Sequence, residues 1–313
     1  MVPIMFGITI ITFAVIHLAP GEPTDRMTEM NPKASAAAKQ RMRAMYHLDK
    51  PLHVQYGLWI SRLAVLDFGR SFSPDARPVL DKIVERLPVT IFINVTSLVL
   101  IFIMSIPIGV FSATHPGSLF DRGSTLFVFI GFSAPGFWLA LLLMILFGVQ
   151  LGWLPISGIR SIYYEQYTTI GKITDIARHL LMPVLLSSLT SLAFLSRITR
   201  QNMLEVIRQD YITTARAKGC HEGAVYYRHA LRNALLPIVT IVGLSIPSLI
   251  GGSVIFETIF SIPGMGQLFY ESVMSRDYPL VMGILVIGAT LTLVGNLIAD
   301  LSYAIADPRI KYE

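Results

Sequence analysis

Charge is what this sequence has least of. Of its 313 residues only 14% are Asp, Glu, Lys or Arg, whereas 53% are hydrophobic. A soluble globular domain carries about 25% charged residues. With a mean hydropathy of +0.60, the chain is too apolar for water and falls in the membrane class. Cysteine is scarcer still. Cys220 stands alone, so no intrachain disulfide can form, and no cysteine set is present to hold a metal. The phosphate-cradling G-x-x-x-x-G-K-[ST] loop is missing, as are the G-x-S-x-G elbow and the H-E-x-x-H pair. These absences take ATP binding and two hydrolase signatures away from the chain itself.

The gaps between charges place the spans. Six long intervals carry no Asp, Glu, Lys or Arg: Met1–Gly21, Leu87–Phe120, Gly123–Ile159, His179–Ser196, Asn233–Phe256 and Tyr278–Ala299. About 20 apolar residues cross the hydrocarbon core as a helix. The intervals therefore predict an all-α, polytopic membrane protein with six transmembrane helices, near 2–18, 89–113, 124–150, 180–197, 235–256 and 280–304. The expected organisation is a first span over 1–18, an extracytoplasmic loop with short helices over 19–88, and a five-helix core over 89–313. That core includes a loop at 198–234.

Orientation follows from the basic residues of the short loops. With the N-terminus inside, the cytoplasmic segments hold Arg122, Arg200, Arg208, Arg216, Lys218, Arg228, Arg232, Arg309 and Lys311. The short external segments hold Arg160, Lys172, Arg178 and Arg276. Nine against four puts both termini in the cytoplasm. The first span lacks the basic n-region of a cleaved signal peptide, and "HLAP" is a poor cleavage site. It is expected to stay, and its missing basic flank points to residues upstream of Met1.

In the outer loop, Asn31-Pro32 reads as an N-cap with proline at the first helical position. Leu52, Tyr56, Trp59, Leu63 and Leu66 then form one apolar stripe. Such a helix lies on the membrane or packs on neighbouring spans; the alternative is a lid or docking surface.

The most polar stretch of the second half is "DYITTARAKGCHEGAVYYRHALRNALLP", 210–237, set between apolar runs. Asp210 is a candidate N-cap, Arg216 and Lys218 sit in a last turn, and Gly219 stands where a C′ glycine would end the helix. A second helix is expected from Glu222 to Asn233. Ala215, Ala217 and Gly219 keep the middle narrow, which suits insertion into a cleft on another protein. A basic loop lying against anionic lipid heads reads equally well from composition.

This stretch, with "YITTARAKG" and "RHALRNALLP", resembles the so-called EAA loop of bacterial ABC-importer permeases. "HLAPGEP", "LDKPLHVQYGLWISRLAVLDFGRSF", "RLPVTI", "SIPGMGQLFYESVMSRDYP" and "ADPRIKY" follow in the order of the oligopeptide/dipeptide/nickel branch. The resemblance covers nearly the whole chain and is nearest to the first permease of such systems, the one with a large outer loop. It departs at Thr213, where the motif has glutamate, and at His221, often a small hydroxyl residue there.

The resemblance implies a type I ABC importer permease fold and a bacterial inner-membrane subunit that forms half of a translocation path, without chemistry or cofactor of its own. Its partners would be a second, homologous permease, two cytoplasmic ATPases carrying ATP and Mg, an extracytoplasmic binding protein and the lipid bilayer, with no nucleic acid. Thr213, Thr214, Ala215, Arg216, Ala217, Lys218, Gly219, Glu222 and Arg228 would couple the ATPases to transport. Peptides, glutathione-like molecules and chelated nickel all remain as cargo.

Two competing classes are an intramembrane enzyme and a secondary transporter or channel not driven by ATP. Both are disfavoured because the predicted spans centre no Asp, Glu or Lys. Asp300 and His179 fall at span ends, where interfacial water is the ordinary explanation. Polar and kinking residues mark a candidate path: Ser133 and Pro135 in the third span, Ser188 and Ser191 in the fourth, and Ser245, Ser248, Gly251 and Gly252 in the fifth. Plain helix packing uses the same residue types.

Overall fold

The computed structural model describes residues 2–18, 40, 43–44, 47–245 and 247–306. Among these every regular element is helical, and the only strand-like pairing is an isolated bridge between Arg70 and Pro78. The helix expected from Asn31 lies outside the described residues, as do Arg309 and Lys311. Three described helices are long and apolar enough to cross a membrane: Val79–Thr114, Thr169–Ile207 and Tyr278–Ile298. Leu119–Ser133 and Gly136–Gln150, bent by 103°, make a fourth if the pair is one span. The helix Val2–Leu18 is apolar but shorter.

Two expected spans are therefore not continuous helices. The one over 124–150 breaks at Ala134, which is extended (φ −88°, ψ 129°) ahead of Pro135. The proline ring disfavours α geometry in the residue before it and removes an N–H donor. The one over 235–256 stops at Ser245, turns through Pro247–Leu249, and resumes as Val254–Ile259. Pro247, Gly251 and Gly252 are poor helix formers, and together they end the ladder. Two other helices outrun their charge-free intervals. The fourth runs Thr169–Ile207, with the Thr168 hydroxyl accepting from the Gly171 N–H at 3.2 Å. The second starts at Val79, inside the stretch expected to be loop.

The described chain divides into two compact units, the first made of Met1–Thr90, Ile250–Val254 and Pro263–Val294. One cluster sets Val79 and Ile83 against Met265, Leu268, Leu280 and Ile284. A second sets Phe13 and Ile16 against Val281 and Met282, with Tyr56 and Trp59 at its edge. The predicted stripe holds in part. Tyr56 and Trp59 lie over Phe13, and the Tyr56 hydroxyl shares a 3.0 Å hydrogen bond with Thr9. Leu52 and Leu66 are exposed, and the helix ends at Leu63, so Leu66 with φ 60° is beyond it.

The 71–82 region is fastened by charge. Asp277 accepts from the Ser71 hydroxyl and from the Leu280 N–H at 3.2 Å, at the head of the last helix. Lys82 reaches Asp75 at 2.8 Å and holds its carboxyl down at about 2.

The second unit comprises Ile91–Leu249, Ile255–Ile262 and Gly295–Glu313. Its clusters bring Val110, Met203, Ile212, Ala215, Val225 and Ala230 together, and separately Ile101, Leu192, Leu195 and Ile238.

Gly266 gives a test of the first unit. A Cβ there would stand 2.6 Å from backbone atoms of Ser253 and Val254, which have no flexible end to move. Gly266→Ala should cost about 1–3 kcal/mol by overpacking, lowering the melting temperature of the purified protein. Gly57→Ala, in the helix Leu52–Leu63 with nothing within 4 Å, should leave it unchanged or raise it.

Candidate functional site

The 210–237 stretch is built as helix, glycine turn, helix. The first helix, Asp210–Ala217, starts one residue after Gln209, so Asp210 opens it from inside instead of capping it. It closes with a Schellman turn: Gly219 N–H donates to Arg216 O at 2.9 Å and Cys220 N–H to Ala215 O at 3.2 Å. Gly219 has φ +77°, the conformation the sequence position called for. Cys220 packs on the cluster containing Ala215, the apolar contact that accompanies this cap. His221 then does the work of a hydroxyl cap, its Nδ1 accepting from the Gly223 N–H at 3.1 Å. Helical geometry runs on through 222–234, with a wide turn at Val225–Ala230.

The two helices are clasped across the turn. Arg216 grips Glu222 through Nε at 2.9 Å and a terminal nitrogen at 3.3 Å, and its guanidinium lies over the Tyr226 ring. The same guanidinium, helped by Tyr226, holds the Glu222 carboxyl below its usual range. Asn233 donates to the Tyr211 hydroxyl at 2.7 Å.

Burial sorts the expected coupling residues into two faces. Ile212 and Ala215 point into the unit's own core, whereas Thr213, Thr214, Arg216, Ala217, Lys218, Gly219, Glu222 and Arg228 are exposed. Ala215 was expected to enter a cleft on another protein, and that expectation is corrected: its methyl is already covered by this chain. The outward face is Thr213, Thr214, Ala217 and Lys218.

Arg200, which the sequence reading counted only for topology, is one half of an ion pair. Arg200 donates to Asp121 from Nε at 2.7 Å and from a terminal nitrogen at 2.9 Å. Asp121 is buried and also accepts from the Gly117 N–H. His179 too differs from expectation. It is buried, not solvated, and bonds through Nδ1 to Asp175 O at 2.8 Å. The side chain of Asp300 lies outside the described ones.

The candidate path residues do not all meet. Ser191, Ser245 and Ser248 share the wall of a cavity of about 350 Å³. Ser188 is buried and donates to Leu185 O; Ser133 and Pro135 are exposed elsewhere on the unit. Gly251 and Gly252 belong to the other unit. The cavity wall adds two polar residues the sequence reading did not select, Asn94 and Ser97. Asn94 and Ser97 lie three apart on one helical face inside an apolar run, a signal easily lost among packing serines.

The described chain combines helices long and apolar enough to cross a membrane with a clasped polar loop. Residues 105–312 match the family described as binding-protein-dependent transport system inner membrane component, and the chain belongs to that family. It is 46% identical over 311 residues to the oligopeptide transport system permease protein AppB of Bacillus subtilis, covering 99% of this chain and 96% of that one. Over 327 aligned positions it is 37% identical to the dipeptide transport system permease protein DppB of Alkalihalophilus pseudofirmus, covering 100% and 97%. The di/tripeptide transport system permease protein DppB of Pseudomonas aeruginosa is 36% identical, with 100% and 96% covered. These relatives are named as permease proteins of peptide transport systems.

The turn at Gly219 makes a testable claim. Nothing lies within 4 Å of a Cβ placed there, so any effect of substitution comes from φ alone. Gly219→Val should cost the turn about 1–2 kcal/mol, and Gly219→Asn much less, because asparagine tolerates the left-handed region. Hydrogen exchange at the Gly219 and Cys220 amides should quicken about tenfold in the valine variant and little in the asparagine variant.

Proposed function

We propose that this chain is one of two permease subunits of an ATP-driven, binding-protein-dependent importer of peptides in a bacterial inner membrane. The observation that carries this reading is the end-to-end likeness to permeases named for oligopeptide, dipeptide and di/tripeptide transport. Six spans with both termini in the cytoplasm fit the charge-free intervals and the nine-to-four distribution of basic residues. The broken helices then count as the third and fifth spans. The partners are a second permease, two ATPases that carry ATP and Mg, and a binding protein on the outer side.

In this reading the exposed face of Asp210–Ala217 docks on an ATPase. The Schellman turn and the Arg216–Glu222 clasp hold the two helices at a fixed angle, so the loop moves as one piece when the ATPases close. The cavity between 94–102, 187–195 and 241–249 is this chain's share of the path. Among the described residues its wall has no charged side chain, which suits cargo of varied side-chain type.

Two measurements test the reading. A cysteine at position 60, in a Cys220→Ser background, should react with an impermeant reagent from outside only; labelling from the cytoplasm alone would reverse the topology. Reconstituted by itself, the chain should move no tri-alanine into vesicles, whereas the complete five-subunit complex should do so with ATP. Uptake by the isolated chain against a gradient would reject the importer-subunit reading.

A further inference from the structure

The first unit holds a cavity of its own, of about 620 Å³. It lies where two apolar helices have the same end. Phe13 and His17 come from the last turns of Val2–Leu18, and Tyr278 and Met282 from the first turns of Tyr278–Ala306. For a helix that crosses a membrane, such an end is the level at which hydrocarbon gives way to headgroups. Five aromatic rings line the space: Phe13, Trp59, Phe68, Phe72 and Tyr278. Phe13 is buried and stacks on His17, at 3.9 Å between centroids, and on Trp59, at 6.0 Å. The other four rings are only half-buried, so an occupant can reach them.

The charges at the wall decide the kind of occupant. Arg62, at the end of helix Leu52–Leu63, is exposed and makes no side-chain hydrogen bond or ion pair among the described residues. Arg70 spends one terminal nitrogen on Ala76 O at 3.0 Å and has further N–H groups to give. Asp67 faces the same space, one oxygen accepting from the Gly69 N–H at 2.9 Å. Two guanidiniums against one carboxylate leave a single positive charge, before any charge on His17 or His47. A phosphodiester brings one negative charge, with oxygens that suit the planar fork of arginine. A headgroup that also carried an ammonium would put a positive charge back. Beside the cavity, Ile11, Val15 and Leu18 form an exposed apolar row on helix Val2–Leu18.

We infer that this cavity is a binding site for one anionic phospholipid, with Arg62 and Arg70 on its phosphate and the aromatic rings against its glycerol backbone and upper acyl carbons. The volume falls within the range of small-ligand pockets, about 300 to 1,000 Å³. It takes a headgroup and the first carbons of the chains, and the rest of the chains lie along the exposed row of Val2–Leu18. Bound there, the lipid ties the first helix, the helix Leu52–Leu63 and the last helix together through one ligand. The inference rests on the reading of Val2–Leu18 as a membrane span and is independent of the cargo.

The cavity contains one of the chain's three tryptophans, and that residue supplies the readout. With Trp138→Phe and Trp153→Phe, the purified full chain in detergent fluoresces from Trp59 alone, and lipid brominated on its upper chain carbons quenches it on contact. Brominated phosphatidylglycerol should half-quench at about tenfold lower mole fraction than brominated phosphatidylcholine, the worth of one charge-assisted hydrogen bond. Arg62→Gln should remove most of that preference, and Arg62→Lys should keep part of it. If the tryptophan substitutions prevent folding, native mass spectrometry of phosphatidylglycerol retained by the parent and Arg62→Gln complexes gives the same comparison. Equal quenching by the two lipids, or equal preference in the parent and Arg62→Gln, would overturn the inference. So would competition by glycerol 1-phosphate at the lipid's own concentration, the mark of a free-phosphate site, or recovery of fluorescence on adding tri-alanine, the mark of a cargo site. Trp59 left unquenched by both lipids would overturn the span reading and the inference with it.

Discussion

A peptide carbonyl surrounded by apolar side chains has to find a donor, and much of the second unit is arranged around that requirement. Helix Leu236–Ser245 stops short of Pro247, so carbonyls past the break lose the N–H groups that would have served them. Asn94 takes over. Its Nδ2 donates to Leu249 O at 2.8 Å and reaches Ser248 O at 3.4 Å. A side chain of one helix thus completes the backbone hydrogen bonding of another. Asn94 and Ser97, three apart on one helix, both line the cavity beside that break.

The same logic, applied to charge, stiffens the other end of the unit. Helix Thr169–Ile207 carries Arg200, which answers the buried carboxylate of Asp121 with two hydrogen bonds. Removing one partner of such a pair strands the other, at a typical cost of about 3–5 kcal/mol. Two residues on, Asn202 donates to Ala234 O at 3.3 Å, at the end of the helical segment that follows the glycine turn. Helix Thr169–Ile207 is therefore tied to Leu119–Ser133 by an ion pair and to the exposed loop by a hydrogen bond. Under the proposed function, a displacement of that loop has a direct mechanical route into a long helix whose middle, Ser187 to Leu195, walls the cavity.

What could be read from the sequence divides along the line between local and tertiary rules. The glycine turn was legible because a C′ glycine followed by a new helix is a local pattern, and it needs no knowledge of neighbours. The approximate places of the helices were legible because a charge-free interval is a property of the chain alone. The breaks were signalled by Pro135 and Pro247 but taken as marks within continuous spans; whether a proline kinks a helix or ends it depends on who satisfies the freed groups. That Ala215 faces inward was not legible, since Ala215 and Ala217 look alike until Ile212, Val225 and Ala230 choose one side. Nor was Ser97, because nothing in the sequence distinguishes a serine that bonds back to its helix from one that does not.

The absence of charge with which the sequence begins also has a place in the three-dimensional argument. The chain carries 25 basic and 20 acidic residues, yet none of the described ones lines the cavity of the second unit. A fixed charge there would grip cargo through the charge of its side chains and reject half of what a peptide importer meets. Under the proposed function, a wall of hydroxyls and apolar side chains would meet only what peptides have in common, the alternating carbonyl and N–H of the backbone. Such a site is weak for any one peptide and indifferent among them, which suits a station on a path, where tight binding would slow release. Under the proposed function, discrimination between one peptide and another would fall to the component that delivers the cargo, and the permease subunit would have only to let the backbone through.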